Sequence, residues 1–205
     1  MTSTTTEESG PSPADGLRVA LKRSASALKA DAVPFALAGS YALWVHGAPE
    51  STHDVDLVVA EDSVEPAARS LANDGFNIER PPEDWLFKAH LDGAMVDVLH
   101  RLNGIPVDAG FLDRAEICEV LGLRIPVLRP TDVISTKLQA LTERYCDFGE
   151  LLPPVRAVRE QLDWTRLHAE SGDSPFATTF LDLVDRLGIR RNDSATEPVA
   201  DQERS

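Results

Sequence analysis

Two aspartates follow a Gly-Ser pair at a spacing that suits phosphate and metal chemistry. Gly39 and Ser40 end a short apolar run, and after thirteen further residues Asp54 and Asp56 flank a single valine. A strand that ends in Gly-Ser and turns directly into a helix presents backbone N–H groups and a hydroxyl, which bind anions. Residues two apart on a strand point to the same face, so the two carboxylates form an oxygen ligand pair for Mg²⁺. The pattern predicts a site for a phosphate and a divalent cation.

A third carboxylate lies on another predicted strand. Asp97 is flanked by apolar residues within the segment 95–99, where a charge is costly unless it is paired or bound to a metal. A cluster of about three carboxylates can hold two metal ions that bracket an attacking and a leaving oxygen. Two plainer alternatives remain open: Asp97 faces water on an edge strand, and the Asp-x-Asp pair occurs in a loop by chance.

These residues resemble the signature of the DNA polymerase β-like nucleotidyltransferases. That signature is a hydrophobic residue, Gly, then Gly or Ser, a gap of about nine to thirteen residues, Asp-x-Asp, and a third Asp on a later strand. The resemblance implies that Asp54, Asp56 and Asp97 bind metal. It also implies that Gly39 and Ser40 cradle phosphate and that the third carboxylate helps to activate the incoming nucleophile.

The C-terminal half is similar to the AbiEii/MenT-type toxins of toxin–antitoxin systems. Lys137 and Thr142 match a Lys-x4-Thr motif, and Arg144 with Asp147 resembles the Arg/Asp motif that follows it. The resemblance implies that Lys137, Thr142 and Arg144 bind the nucleotide and that Asp147 is a further essential acid. A helix predicted over 131–144 places Lys137 and Arg144 on one face. The alternative for Arg144 and Asp147 is an ordinary salt-bridged helix end.

The resemblance implies a Mg²⁺-dependent transfer of a nucleoside monophosphate from an NTP to an acceptor hydroxyl, with two ions expected. The expected catalytic residues are Asp54, Asp56, Asp97, Lys137 and Asp147. For the toxins, the implied acceptor is the 3′ end of tRNA, so that translation stops, and a cognate antitoxin is the implied protein partner. Two alternatives remain: the same transfer to a small molecule of the aminoglycoside type or to a protein hydroxyl, and a catalytically silent NTP-binding module.

The periodicity of apolar residues predicts the elements that position these groups. Asp92-Gly93 is a strong signal for a two-residue hairpin turn. The predicted strands span 35–38, 55–59, 85–91 and 94–99, and the predicted helices span 17–28, 40–46, 64–71, 131–144, 155–161 and 178–187. Strands mixed with helices, followed by helices alone, predict an α/β (α+β) fold: a mixed-sheet nucleotidyltransferase lobe and a small helical lobe.

The expected boundaries follow from the same pattern. We expect disordered tails over 1–14 and 192–205, because these polar segments cannot bury enough apolar surface to order themselves. Between them we expect the α/β lobe over 15–129 and the helical lobe over 130–191.

Composition excludes several classes of protein. The 205 residues include only two cysteines, too few for a disulfide framework. No apolar run reaches the roughly 20 residues of a membrane helix, so we expect a cytoplasmic protein with no membrane partner. The net charge of −14 argues against indiscriminate nucleic-acid binding.

A local basic face is still compatible with this sequence. Residues 16–30 carry four cations and no acid. They form either a solvated helix face or a surface that meets phosphate. The cations that such a surface would use are Arg18, Lys22, Arg23, Lys29, Arg124, Arg129, Arg156, Arg159 and Arg166.

Overall fold

The computed structural model describes residues 13–172 and 174–190. The α-helices in this part of the chain are α1 (Pro13–Ala30), α2 (Gly39–Val45), α3 (Val64–Asn73), α4 (Ala109–Leu112), α5 (Pro130–Gln139), α6 (Phe148–Val158), α7 (Trp164–Ser171) and α8 (Pro175–Arg186). Single 3₁₀ turns lie at Glu61–Ser63 and Arg159–Gln161. The strands are β1 (Phe35–Ala38), β2 (Val55–Val59), β3 (Asn77–Glu79), β4 (Leu86–Leu91), β5 (Ala94–Leu99), β6 (Arg101–Leu102), β7 (Ile105–Pro106), β8 (Glu116–Val120) and β9 (Leu123–Val127).

Seven strands form one mixed sheet in the order β3-β4-β5-β2-β1-β9-β8. The β1–β2, β3–β4, β4–β5 and β8–β9 pairs are antiparallel, whereas β1–β9 and β2–β5 are parallel. Strands β6 and β7 form a separate small hairpin. This mixed α/β architecture confirms the predicted fold class.

The core forms where helices cover the central strands. On α1, which includes the helix predicted over 17–28, the side chains of Leu17, Leu21 and Leu28 are buried, and this helix packs on β5 and against α3. Helix α2 packs on β1 and β2 and contacts α5 and α6. Helices α5, α7 and α8 pack on one another. Helix α2 lies between the sheet and the helices α5 and α6.

The hairpin around Asp92-Gly93 forms as predicted. Leu91 pairs with Ala94 across a two-residue turn, in which both Asp92 and Gly93 have positive φ. Positive φ at both central residues is typical of the turn that matches the right-handed twist of paired strands. The turn fixes the register of β4 against β5, and this register pairs Lys88 with Asp97.

The helix predicted over 131–144 is shorter in the structure. Helix α5 ends at Gln139, and residues 140–147 form a connection to α6. Within it, the Thr142 N–H donates to the Tyr145 carbonyl, and the Tyr145 N–H donates back to the Thr142 carbonyl and hydroxyl. Such local bonds compete with helix propagation. Lys137 and Arg144 therefore do not share one helix, and that prediction was wrong.

Other elements also differ from the predictions. Helix α6 begins at Phe148, where the Asp147 carboxylate caps it, and Pro153 and Pro154 lie inside it instead of preceding a helix at 155. The prediction missed β3, α4, α7, the β6–β7 hairpin and the β8–β9 hairpin. Strands β3, β6 and β7 are only two or three residues long, too short to show a periodic pattern.

The predicted tails lie mostly outside the described residues. Only residues 13 and 14 of the predicted N-terminal tail are described, and they are the first residues of α1, so this part of the prediction was wrong. None of the described helices combines the length and the apolar character needed to cross a membrane.

Candidate active site

The three predicted metal-binding carboxylates converge at one place on the sheet. Asp56 on β2 lies directly opposite Asp97 on the parallel strand β5, and Asp54 precedes Asp56 by two residues. Directly opposite residues share a face of the sheet. One carboxylate oxygen from each of Asp54, Asp56 and Asp97 lies within 4.8 Å of the others. This spacing allows one divalent cation to contact all three side chains.

Gly39 lies against the middle carboxylate of this cluster. Its φ is +56°, and a Cβ built on it would lie only 1.7 Å from Asp56 Oδ2. The next residue, Ser40, donates its backbone N–H to the Asp56 carboxylate. The Gly-Ser pair therefore brings the start of α2 into contact with Asp56, and a side chain on Gly39 would collide with the Asp56 side chain and displace it.

The electrostatics of the cluster favour a bound cation. Burial, together with the neighbouring carboxylates of Asp54 and Asp97, raises the pKa of Asp56 to about 7, while Lys137 and the Ser40 N–H act in the opposite direction. Burial also raises the pKa of Asp97. These shifts arise because three acids share a partly buried volume with too little positive charge. A divalent cation supplies that charge, so the residues fit Mg²⁺ or Mn²⁺.

An open cleft of about 820 Å³ lies beside the cluster. It reaches from Ser40 and Lys137 to the connection between α5 and α6, where Arg144 and Tyr145 line it. Lys137 also lines a smaller cavity of about 150 Å³ together with Gly39 and Asp56. Lys137 thus stands between the carboxylate cluster and the cleft, where an ammonium group can meet both a carboxylate and a phosphate.

A network of charged side chains around the buried Asp132 anchors the helix that carries Lys137. Asp132, in the first turn of α5, has a side chain that is 1% exposed, and its Oδ1 accepts a hydrogen bond from Arg166 Nη2 at 2.7 Å. Arg166 Nε donates to Glu170 Oε1 at 2.6 Å, and Glu170 in turn accepts from the Ser135 hydroxyl. Removing Arg166 would leave the buried Asp132 carboxylate without its nearest cation, which is costly, so this network holds α5 against α7.

The C-terminal motif residues lie in different places relative to the cleft. Lys137, Arg144 and Asp147 line the cleft, whereas Thr142 is not among its lining residues and its hydroxyl holds the turn to Tyr145. Asp147 Oδ1 accepts the Glu150 N–H at 3.1 Å and caps α6. Its presence in the cleft is compatible with the predicted catalytic role, which stays a prediction.

Sequence reasoning missed two residues at the site. Lys88 on β4 lies opposite Asp97, and its ammonium nitrogen is 3.2 Å from Asp97 Oδ1. The two-residue turn at Asp92-Gly93 fixes this pairing, so counting outward from the turn would have found it. Tyr145, whose side chain is 72% exposed, lines the cleft, and nothing in the sequence marks it apart from its place beside Arg144.

More than half of the cations of the predicted basic surface pair with acids of the same chain. On α1, Arg18 pairs with Glu50 and Arg23 pairs with Asp74, while Lys29 donates to the Arg124 carbonyl. Carboxylate partners are also present for Arg129, Arg159 and Arg166. Five of these nine cations are therefore ion-paired. For residues 16–30, the pairing of Arg18 and Arg23 favours a solvated helix face over a surface that meets phosphate.

Comparison with known proteins agrees with this geometry at the level of the fold. No protein-family model matches the chain, and no curated protein matches it either. Among solved structures, an antigenic nucleotidyltransferase-like protein from Paracoccidioides brasiliensis is 16% identical over 86% of this chain and 91% of that chain, with a TM-score of 0.55. The chain has the nucleotidyltransferase fold.

Two other solved structures match the chain at lower similarity. ANT(2″)-Ia, solved in complex with adenylyl-2″-tobramycin, is 16% identical over 84% of this chain and 94% of that chain, with a TM-score of 0.49. The lincosamide antibiotic adenylyltransferase LnuA, solved with lincomycin, is 11% identical over 64% of this chain and 89% of that chain, with a TM-score of 0.46.

Proposed function

We propose that this protein is a Mg²⁺-dependent nucleotidyltransferase that transfers a nucleoside monophosphate from an NTP to a hydroxyl group. The observation that carries the proposal is the convergence of Asp54, Asp56 and Asp97 within 4.8 Å, beside the Gly39–Ser40 turn. A silent NTP-binding module would have no use for three acids whose proximity is costly without a cation. The cation and NTP are the ligands that this arrangement accommodates.

Each residue of the cluster has a proposed role in the transfer. The acceptor oxygen forms a bond to the α-phosphorus, the bond from that phosphorus to the pyrophosphate oxygen breaks, and the hydroxyl proton passes to a carboxylate. Asp54, Asp56 and Asp97 would hold the cation, and Asp97 is the proposed proton acceptor. When bound, Mg²⁺ neutralises phosphate charge and stabilises the attacking and leaving oxygens. Positioning and charge neutralisation supply most of the rate in this type of reaction.

The cleft supplies the groups that would hold the NTP. Lys137, next to Asp56, is placed to meet the triphosphate as a point charge, and Arg144 extends the positive side of the cleft. Tyr145 offers an exposed aromatic face to a nucleobase. We retain Ser40 as a phosphate contact because it lines the same cleft. An enzyme with this substrate needs a compartment rich in NTP, so we propose the cytoplasm.

For the acceptor, we favour a small-molecule hydroxyl over tRNA. RNA binding depends on cations that are free to neutralise phosphates, and five of the nine cations expected to form an RNA surface are paired with acids of this chain. The cleft itself balances Lys137 and Arg144 against Asp147 and Glu150. The tRNA acceptor, with the role of a toxin and a cognate antitoxin, is the second candidate, and it depends on the motif resemblance.

The acceptor is tested by labelling. The purified chain is incubated with Mg²⁺, each α-³²P-labelled NTP, and either total tRNA or a panel of aminoglycosides and other hydroxylated small molecules. We expect label on a small molecule, with a rate that changes little between 50 and 200 mM salt. Label on tRNA, with a rate that falls steeply over this range, would establish the second candidate, because phosphate contacts are screened by salt. Label on the protein itself would identify a protein hydroxyl as the acceptor.

A further inference from the structure

A row of polar side chains crosses the sheet through the carboxylate cluster. Strand register places Asp56 opposite Asp97, Asp97 opposite Lys88, and Lys88 opposite Glu79. Directly opposite residues share a face, so the whole row points to one side of the sheet. Asp97 thus lies between Asp56 on one side and Lys88 on the other.

The Lys88 ammonium group forms an ion pair with the Asp97 carboxylate. Its nitrogen lies 3.2 Å from Oδ1 and 3.4 Å from Oδ2 of Asp97, and 3.4 Å from the sulfur of Met95. Glu79 is the other acid next to Lys88 in the row, but its carboxylate is 2.8 Å from His90 Nε2. The Lys88 and Asp97 side chains are 26% and 13% exposed, so solvent screens this ion pair only in part.

The pair leaves Asp97 able to bind a cation. An ionised carboxylate has about four lone-pair directions on its two oxygens. Lys88 approaches both oxygens from the β4 side, whereas Asp54 and Asp56 approach from the β2 side. The terminal torsion of an aspartate is otherwise broad, so an unpaired Asp97 would rotate. Partners that hydrogen-bond a metal ligand orient it and tune the affinity for the metal.

We propose that Lys88 is a positioning residue, which holds the Asp97 carboxylate in the orientation needed to bind a divalent cation together with Asp54 and Asp56. This inference rests on the proposed function of the same site. Charge alone predicts the opposite effect of Lys88 on cation affinity. An ammonium next to a metal site repels the cation, so its removal would tighten cation binding if orientation were unimportant.

The test measures Mn²⁺ binding to the metal-free full-length chain without nucleotide, by electron paramagnetic resonance of free Mn²⁺. We expect Lys88→Met to weaken binding by about 10- to 100-fold, the usual effect of losing a partner of a metal ligand. Lys88→Arg, which keeps a donor to both oxygens, should lie within a few-fold of the wild type. Arg80→Met, which breaks the exposed Arg80–Glu65 pair elsewhere on the protein, is the matched control and should bind like the wild type.

A double-mutant cycle separates positioning from general damage to the fold. In the Asp97→Asn background, adding Lys88→Met should cause no further loss of Mn²⁺ affinity, whereas a purely structural defect would weaken binding again. Unchanged or tighter binding in Lys88→Met would overturn the inference. If circular dichroism shows that Lys88→Met is unfolded, Lys88→Gln takes its place. We then expect Lys88→Gln to bind Mn²⁺ weakly and Lys88→Arg to bind it nearly as the wild type does, and wild-type affinity in Lys88→Gln would overturn the inference.

Failure of this inference can be distinguished from failure of the proposed function. If Asp54→Ala binds Mn²⁺ as tightly as the wild type, the carboxylate cluster is not the metal site and the proposed function fails. If Asp54→Ala loses binding while Lys88→Met keeps wild-type affinity, only the role of Lys88 is refuted.

Discussion

Gly39 and Asp56 are so close that a methyl group on Gly39 would overlap the carboxylate, at 1.7 Å from Oδ2. The contact joins the start of α2 to the centre of the carboxylate cluster, although seventeen positions separate the two residues in the chain. It gives the Gly-Ser pair a role in addition to the phosphate binding that we propose. The pair allows the α2 backbone to reach Asp56, and the Ser40 N–H then donates to that carboxylate.

Substitution of Gly39 should therefore disturb metal binding as well as stability. Gly39→Ala forces alanine into a positive φ, which costs about 1–3 kcal/mol, and also displaces Asp56. Gly188→Ala is the matched control, because Gly188 has a similar φ of +62° and nothing lies within 4 Å of the position that its methyl group would take. Urea unfolding should show destabilisation of both variants, whereas Mn²⁺ binding should be lost only in Gly39→Ala. Wild-type Mn²⁺ affinity in Gly39→Ala would contradict this account of the turn.

Lys137 should affect the binding of NTP. Its ammonium lies between Asp56 and the cleft, and a charge-assisted hydrogen bond contributes about 1.5–3 kcal/mol. Lys137→Met should raise the KM for NTP by about 10- to 100-fold, a change of this free energy. Lys29→Met, which removes an ammonium that donates to the Arg124 carbonyl, is the control and should leave KM unchanged. Steady-state pyrophosphate release measures both variants, and an unaltered KM in Lys137→Met would refute the assignment.

Tyr145 should contribute through its aromatic ring. Stacking of a base on an aromatic side chain is worth about 1–3 kcal/mol, so Tyr145→Ala should weaken NTP binding by about 5- to 100-fold. Tyr145→Phe should retain most of the affinity, because the ring remains. The 72% exposure of this side chain predicts that neither change lowers the melting temperature appreciably. Ile117→Ala removes another exposed apolar side chain, outside the cleft, and controls for nonspecific effects. Equal NTP affinity of Tyr145→Ala and the wild type would exclude stacking.

The Arg18–Glu50 pair predicts a pH dependence of stability. Arg18 donates to both carboxylate oxygens of Glu50, at 2.7 and 2.6 Å, and this hydrogen bonding lowers the pKa of Glu50. A carboxyl whose pKa is lowered on folding stabilises the protein above its unfolded pKa, near 4.3, and this contribution is lost as the pH falls through the folded value. Glu50→Gln should therefore melt below the wild type at pH 7, and the gap should narrow below about pH 4. A gap in melting temperature that is constant from pH 7 to pH 3 would disprove the linkage.

Local spacing was enough to predict the centre of the site. Gly39, Ser40, Asp54 and Asp56 lie close in sequence, and strand alternation alone places the two carboxylates on one face. Asp97 followed from its apolar surroundings, because an isolated charge on such a strand needs a partner. Lys88, the partner missed, was within reach of the same reasoning through the register of the Asp92-Gly93 turn.

The surface charges and the end of α5 depend on contacts that no local pattern in the sequence shows. The partners of Arg18 and Arg23 are 32 and 51 residues away, so no local pattern could show that these cations are neutralised. The end of α5 depends on the turn between Thr142 and Tyr145, which outweighs helix propensity there. Arg144 therefore reaches the cleft from a connection instead of from the predicted helix face.

The central claim is that the cluster of Asp54, Asp56 and Asp97 catalyses nucleotidyl transfer, and one experiment tests it most directly. The wild type and Asp54→Ala are each incubated with Mg²⁺, the four α-³²P-labelled NTPs separately, and the pooled acceptors. Labelled product and pyrophosphate are then measured, and circular dichroism confirms that both proteins fold. We predict Mg²⁺-dependent labelling by the wild type and none by Asp54→Ala. Equal labelling by the two proteins, or no labelling and no pyrophosphate release with any NTP, would contradict the account.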